Sequence, residues 1–202
     1  YFKPGAHYQY CNASFWLLGE IISAASGLAY PDYLREHIWR PLGMDSTGFS
    51  FDDDARQARM MPVHVVPGDG FERWIDKRDY FTSMNFSAGG VWSSARDMFR
   101  YGQAQLNALR GCEPALCSTG AAMLMTRSHT DGIRDVNGNP SCYGMGWGLD
   151  DGGGYHLGRG SGFGHGGATS TYLWLEPELD LAYIYLTNMW GYERRASQLA
   201  LN

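Results

Sequence analysis

The spacing of apolar residues changes near residue 168, and this change constrains the fold more than any other feature. Before it, apolar residues recur at helical spacing in several segments. After it, two β-rich runs, 169–175 and 179–187, are joined by Glu-Pro-Glu, a pattern typical of a β-hairpin. Helices followed by a closing antiparallel hairpin predict an α+β fold.

The predicted helices have recognisable starts and ends. In the first helix, Asn12 is a candidate N-cap and Gly27 follows the last turn. The third helix is expected to have Ser93 or Ser94 as its N-cap. The segment 128–167 is rich in glycine, so we predict loops there. The four predicted helices span 12–25, 31–40, 94–109 and 119–127, and a short strand is expected at 63–66.

Composition and charge exclude several classes of protein. Apolar residues make up 44% and charged residues 18% of the 202 residues, which is typical of a globular protein. The net charge is -5 and no basic run occurs, so nucleic acid is not expected as a partner. No apolar stretch approaches the ~18 residues of a transmembrane helix, so we expect no membrane span in this segment.

Two glycine-rich segments match known functional motifs only in part, and neither is predicted to be a dinucleotide site or a nucleophile elbow. The segment Gly162–Gly167 fits the dinucleotide pattern GxGxxG, but a strand and not a helix is predicted to follow it. Ser161 is not a nucleophile elbow either, because Arg159 and Phe163 occupy the positions where GxSxG requires glycine.

The histidines and cysteines do not form a metal motif. The six histidines are not spaced as ligand pairs and no cysteine cluster accompanies them, so we predict neither a metal nor another cofactor. Cys112 and Cys117 bracket four residues of a predicted loop. Both a local disulfide and a reduced pair remain open for these two residues.

The candidate chemistry is concentrated in two short motifs at opposite ends of the chain. Tyr10-Cys11-Asn12 stands directly before the first helix, and His165-Gly166-Gly167 stands directly before the hairpin. Each motif alone is more often a structural helix start or a loop. Together with other segments in the same order, they resemble the class C β-lactamases, DD-peptidases and related esterases. The matching segments are Pro4–Asn12, Leu17–Ile22, Ser26–Gly27, Pro41–Met44, Ala88–Ser93 with Asp97, Tyr143–Trp147 and Gly164–Gly167.

The resemblance implies one intimate domain, part of a β-lactamase/transpeptidase-like fold. Residues 1–160 are expected to form a mainly helical lobe with irregular loops. Residues 161–202 are expected to supply the C-terminal strands of an α/β lobe, a sheet flanked by helices, and the start of a closing helix. The resemblance also implies a partner for this chain in the N-terminal segment of the same protein.

By resemblance, the site residues have defined roles in acyl transfer. A serine hydroxyl is a weak nucleophile that needs a base, and Tyr10 is expected to take or relay its proton. Asn12 is expected to hydrogen-bond the substrate amide and the lysine of the family's Ser-x-x-Lys motif. His165 stands where the family has Lys or His, and the backbone N–H of Ala168 is expected to be one oxyanion donor. The expected substrate-binding residues are Gly166, Gly167, Trp92, Tyr143 and Trp147.

The chain departs from the family pattern in two places. No serine has a lysine three residues on, since the only lysines are Lys3 and Lys77, and we expect the Ser-x-x-Lys motif upstream of Tyr1. Cys11 stands where the family usually has serine. We therefore expect these 202 residues alone to be inactive, because acyl transfer needs a nucleophile, a base and an oxyanion hole together.

The resemblance implies a serine hydrolase that forms an acyl-enzyme with a small-molecule amide or ester, such as a β-lactam, a D-amino-acid peptide or an ester. His-x-Gly in place of Lys-Thr-Gly disfavours a dedicated β-lactamase, because lysine is the better fixed cation for a β-lactam carboxylate. The alternative is a non-catalytic relative that binds a ligand or a partner, and an upstream Ser-x-x-Lys would distinguish the two. The sequence leaves the cellular location open, with a periplasmic or secreted protein favoured.

Overall fold

A computed structural model describes residues 2–49, 54–65, 87–149 and 161–190, in which helices come first and an antiparallel sheet comes last. The predicted α+β class is confirmed. The helices are α1 (Asn12–Ser26), α2 (Tyr30–Leu34) with a π-helical turn (Arg35–Trp39), α3 (Asp54–Gln57), α4 (Ala95–Arg110) and α5 (Thr119–Thr126). The strands are β1 (His64–Val65), β2 (Gly148–Leu149), β3 (Phe163–Gly166), β4 (Tyr172–Glu176), β5 (Leu181–Tyr185) and β6 (Met189–Trp190).

The main sheet has four antiparallel strands in the order β2-β3-β4-β5. The predicted hairpin is confirmed as β4 and β5, joined by a short 3₁₀ helix over Pro177–Leu179. Strand β1 pairs in parallel with β6 at the other end of the chain. Asn188 strengthens this pairing, because its side-chain amide donates to the carbonyl oxygen of Pro62 at 2.7 Å.

The prediction of loops throughout 128–167 is wrong at β2 and β3. Half of the residues in each of these strands are glycine, a type that is depleted in strands, so the residue signal for a strand is weak. Glycine is nevertheless required at position 164, because a Cβ there would collide with the carbonyl oxygen of Leu173 and the ring of Trp174 on β4. His165 therefore lies within a strand, and not in a loop before one.

Helix α4 packs closely on the sheet and builds the main core. Ser94 caps it as predicted, since its hydroxyl accepts from the N–H of Asp97 at 3.2 Å. A Cβ at Gly102 would lie 2.9 Å from Leu175, so glycine lets the helix approach β4. The buried core unites helix, loop and sheet in Leu106, Trp147, Phe163, Leu173 and Leu175.

Both predicted parts of the domain, residues 1–160 and residues 161–202, contribute to this core. Strand β2 and Trp147 precede residue 160, yet they pack with β3 and β4. The expected closing helix, which would begin near the C-terminal end, falls on 191–202 and lies outside the described residues. Within the described ranges, no helix is long and apolar enough to span a bilayer. Cys112 and Cys117 are free thiols, so the local disulfide is not formed.

A buried carboxylate ties the segment after the π-helical turn to the start of α4. Asp97 is 2% exposed, and its Oδ2 accepts from the N–H of Ser46 at 2.8 Å and from the hydroxyl of Thr47 at 2.9 Å. The Thr47 hydroxyl also lies 2.8 Å from that of Ser93. Because a buried charge is tolerated only when it is hydrogen-bonded, these contacts fix both segments together.

We predict that Asp97→Ala lowers the free energy of unfolding by about 3 kcal/mol, because Ser46 and Thr47 lose a charged acceptor in the interior. Asp32→Ala is the matched control, since that carboxylate pairs with Arg35 at the exposed surface and its loss costs about 0.2–1 kcal/mol. Urea unfolding curves measure both. Equal losses in the two variants would contradict the structural role of Asp97.

Candidate active site

The start of α1 places Tyr10 and Asn12 at one cavity. Cys11 has an extended backbone, with φ -146°, and Asn12 is the first helical residue. The prediction that Asn12 caps the helix is therefore wrong by one residue, and its side chain lines the cavity instead. Cys11 is exposed, and hydrogen bonds from Ser14 hold the pKa of its thiol below the usual value.

Strand β3 brings His165 to the same cavity. His165 pairs with Leu173 of β4, two residues beyond the fully buried Phe163. Its Nδ1 lies 2.7 Å from the carbonyl oxygen of Gly166. Because a carbonyl oxygen only accepts, this contact requires a proton on Nδ1.

The cavity has a volume of about 170 Å³ and brings residues from distant parts of the chain together. The rings of Tyr10 and His165 lie 6.0 Å apart, centroid to centroid. Of the described residues, none that lines the cavity has a carboxylate, ammonium or guanidinium group. The lining residues are Tyr10, Asn12, Phe15, Ser87, Ala88, Tyr143, Gly146 and His165.

Tyr143 completes an aromatic cluster around His165. Its ring lies 6.1 Å from the imidazole at an interplanar angle of 82°, and 5.4 Å from the ring of Tyr8. Burial raises the pKa of Tyr143 well above its ordinary value, and Tyr8 and Tyr10 raise it further. Burial, and then Tyr10, also raise the pKa of Tyr8. Tyr8 and Tyr143 therefore remain protonated at neutral pH.

Ser87 joins the cavity wall to α1. Its hydroxyl donates to the carbonyl oxygen of Phe15 at 2.6 Å. The close approach depends on Gly19, the one buried residue of α1, because a Cβ there would collide with the Ser87 side chain. The helix and the segment at Ser87 are thus in direct contact beside the cavity.

The other predicted site residues do not line the cavity in the described part of the chain. Trp147 is 6% exposed and packs in the core, 5.1 Å from the ring of Phe163. Trp92 pairs with Gly48 through two backbone hydrogen bonds. The remaining three are Gly166, Gly167 and Ala168. Gly166 ends β3, and a turn follows in which the N–H of Gly167 donates to the carbonyl oxygen of Thr171 at 2.8 Å.

Sequence reasoning did not identify Phe15, Ser87, Ala88 or Gly146 as lining residues. The glycine-flanked motifs that begin at Ala88 and Tyr143 could have indicated these lining residues, because glycine-rich loops often border ligand sites. The motifs alone do not show which members face the cavity. In the described ranges, no group of three or more His, Cys, Asp or Glu side chains is placed to hold a metal ion.

An α+β chain that places a Tyr-x-Asn helix start beside a histidine on a central strand has the arrangement of the β-lactamase-like class. This chain belongs to the beta-lactamase family, whose family model matches residues 1–202. The resemblance seen in the sequence is confirmed.

This chain is similar to two curated proteins in sequence and to a solved structure in fold. The D-aminopeptidase of Brucella anthropi is 29% identical over 168 residues, 83% of this chain and 28% of that protein. The D-alanyl-D-alanine-carboxypeptidase/endopeptidase AmpH of Escherichia coli K12 is 29% identical over 146 residues, 71% of this chain and 35% of AmpH. The octameric penicillin-binding protein homologue from Pyrococcus abyssi has the same fold, with a TM-score of 0.78 at 24% identity, over 100% of this chain and 43% of that one. The chain spans about a third of the length of these two curated relatives.

We predict opposite effects of alanine at two helical glycines. Gly19→Ala lowers the free energy of unfolding by about 1–3 kcal/mol, because the new methyl group overpacks against Ser87. Gly120→Ala in α5 raises it by up to about 1 kcal/mol, because a Cβ there meets open space and alanine favours the helix. Thermal or urea unfolding checks the pair. Stabilisation by both substitutions would show that α1 does not need the close contact.

Proposed function

We propose that the protein containing this chain is a serine hydrolase that acts through an acyl-enzyme on amide or ester bonds of small molecules. One observation carries the proposal: Tyr10, Asn12 and His165 line the same cavity, although they come from opposite ends of the chain. Packing alone does not require a phenol, an amide and an imidazole there. Together they provide a proton acceptor, a polar anchor and a second proton-carrying group.

In this proposal, each group has one chemical task. Tyr10 takes or relays the proton of the attacking serine, and the imidazole of His165 lies beside it, at 6.0 Å between ring centroids. Asn12 holds the amide of the substrate through its side-chain amide. The backbone N–H of Ala168 donates to the developing oxyanion, where a fixed donor stabilises charge that forms in the transition state.

The nucleophile of this mechanism comes from outside the 202 residues, which contain no Ser-x-x-Lys. Among the substrate classes, peptides of D-amino acids are favoured, because relatives named D-aminopeptidase and D-alanyl-D-alanine-carboxypeptidase/endopeptidase match most of this chain. Esters are the second class.

The test is to express the full-length protein and compare wild type with Tyr10→Phe, using p-nitrophenyl acetate and D-alanine p-nitroanilide. We expect Tyr10→Phe to lower kcat/KM by about 10²–10⁴, because a positioned base contributes that much to a proton transfer. Tyr33→Phe is the matched control and is expected to retain wild-type activity, since Tyr33 lies on α2 against His37 and outside the cavity lining.

Two results would contradict the proposal. Full activity in Tyr10→Phe would show that the Tyr10 hydroxyl takes no part in the proton transfer. A folded wild-type protein that binds substrate analogues but turns over neither substrate would favour a non-catalytic binding protein instead.

A further inference from the structure

Helix α1 is uncharged on the face that points away from the rest of the described chain. Glu20 is the one charged residue among the 15 residues of the helix. Gly19 is its one buried residue and packs against Ser87, so the face centred on Gly19 contacts the described structure. Successive residues are turned by about 100° around a helix axis, which identifies the opposite face. Its members are all exposed and are Ala13, Ser14, Leu17, Ile21, Ala24 and Ala25.

This composition is unusual for a helix face in contact with water. A surface helix normally carries its charged residues on the side away from the core, and a helix that is apolar all round is buried. Leu17 and Ile21 lie one turn apart and are 66% and 60% exposed, so they form one aliphatic ridge. The exposed face of α1 therefore has the composition of a packing surface.

The position of Tyr10 indicates what covers this face. Tyr10 lies two residues before α1, and its side chain is 54% exposed. In the proposed function, a serine from outside the 202 residues comes within hydrogen-bond reach of the Tyr10 hydroxyl. Leu17 is only about 7.5 Å along the axis from the start of α1, whereas a packed helix is about 10 Å across. The part of the protein that delivers the serine therefore also lies beside the first turns of α1.

We propose that the exposed face of α1 is the docking surface for the part of the full-length protein that precedes Tyr1 and supplies the serine. This inference rests on the proposed function, which places the nucleophile there. The curated relatives are long enough to contain such a part, because the matched segments cover 28% of the D-aminopeptidase and 35% of AmpH. Docking buries Leu17 and Ile21, which favours association, and shields Tyr10 from water.

A second copy of the chain is the competing occupant. A contact between two α1 faces would also bury Leu17 and Ile21. It would not bring a nucleophile to Tyr10, so it does not account for the position of this face beside the proposed base.

The test uses full-length protein in which photo-leucine replaces leucine, so that light joins Leu17 covalently to the residue in contact with it. After digestion, we expect the peptide that contains Leu17 to be joined to a peptide N-terminal to Tyr1, in a product with the mass of a monomer. Leu17→Val is the matched control, since valine is apolar but not photoreactive, and the cross-link from position 17 is expected to disappear. A cross-link found only in a dimer, or reaction of Leu17 with solvent alone, would overturn the inference.

Thermal stability of the full-length protein provides a second readout. Leu17→Ser and Ile21→Ser are each expected to lower Tm by more than about 2 °C, because they place a hydroxyl in an apolar contact. Val136→Ser is the matched control and is expected to leave Tm unchanged, since Val136 is 53% exposed in a turn between the polar residues Asp135 and Asn137. Unchanged Tm in all three variants would show that the face of α1 is open to solvent.

These outcomes are separate from the failure of the proposed function, because neither readout requires turnover. An active wild type that loses activity in Tyr10→Phe, but whose Leu17 reacts with solvent alone, keeps the hydrolase and removes the docking surface. An inactive wild type with the expected cross-link keeps the surface and removes the hydrolase.

Discussion

The packing of the β3–β4 face against α4 is the interaction on which the rest of the structure depends. Phe163, Leu173 and Leu175 are almost completely buried there, and burial of apolar surface is the main driving force for folding. Gly102 allows the helix to approach, and Trp147 closes the core from the side of β2. Once this face is formed, the position and direction of β3 are fixed.

The position of the candidate site follows from that of β3. Side chains two residues apart on a strand share a face, so Phe163, anchored in the core, places His165 further along the same face. On the other side, Gly19 and Ser87 hold α1, which begins with Asn12 at the cavity and is preceded there by Tyr10. Asn12 and His165 are thus held by a helix and a strand, which suits chemistry that needs fixed distances.

The sequence predicted the elements whose residues have strong local preferences. Helix α1 was expected at 12–25 and spans Asn12–Ser26, because Gly27 ends it in a left-handed conformation with φ 74°. Strands β2 and β3 were missed because glycine carries no strand signal, although tertiary packing demands glycine at position 164. Helix α1 is also apolar on several sides, so periodicity did not show that Gly19 is its buried residue while Leu18 is half exposed.

The candidate site residues that belong to short sequence motifs could be predicted from the sequence. Tyr10, Asn12 and His165 come from short motifs whose order is specific, and the structure places all three at one cavity. The positions of the aromatic residues were harder to predict, because a tryptophan beside glycine is equally compatible with a core and with a ligand pocket. Trp147 lies in the core, whereas Tyr143, four residues earlier, lines the cavity.

The most direct test of the account is a crystal structure of the full-length protein inactivated with a p-nitrophenyl phosphonate, which forms a stable covalent adduct with an activated serine. We expect a phosphonyl group on a serine of a Ser-x-x-Lys motif, with one oxygen about 2.7–3.1 Å from the N–H of Ala168 and the Tyr10 hydroxyl beside the serine oxygen. An adduct on Cys11, or on a serine remote from the cavity lined by Tyr10 and His165, would contradict it.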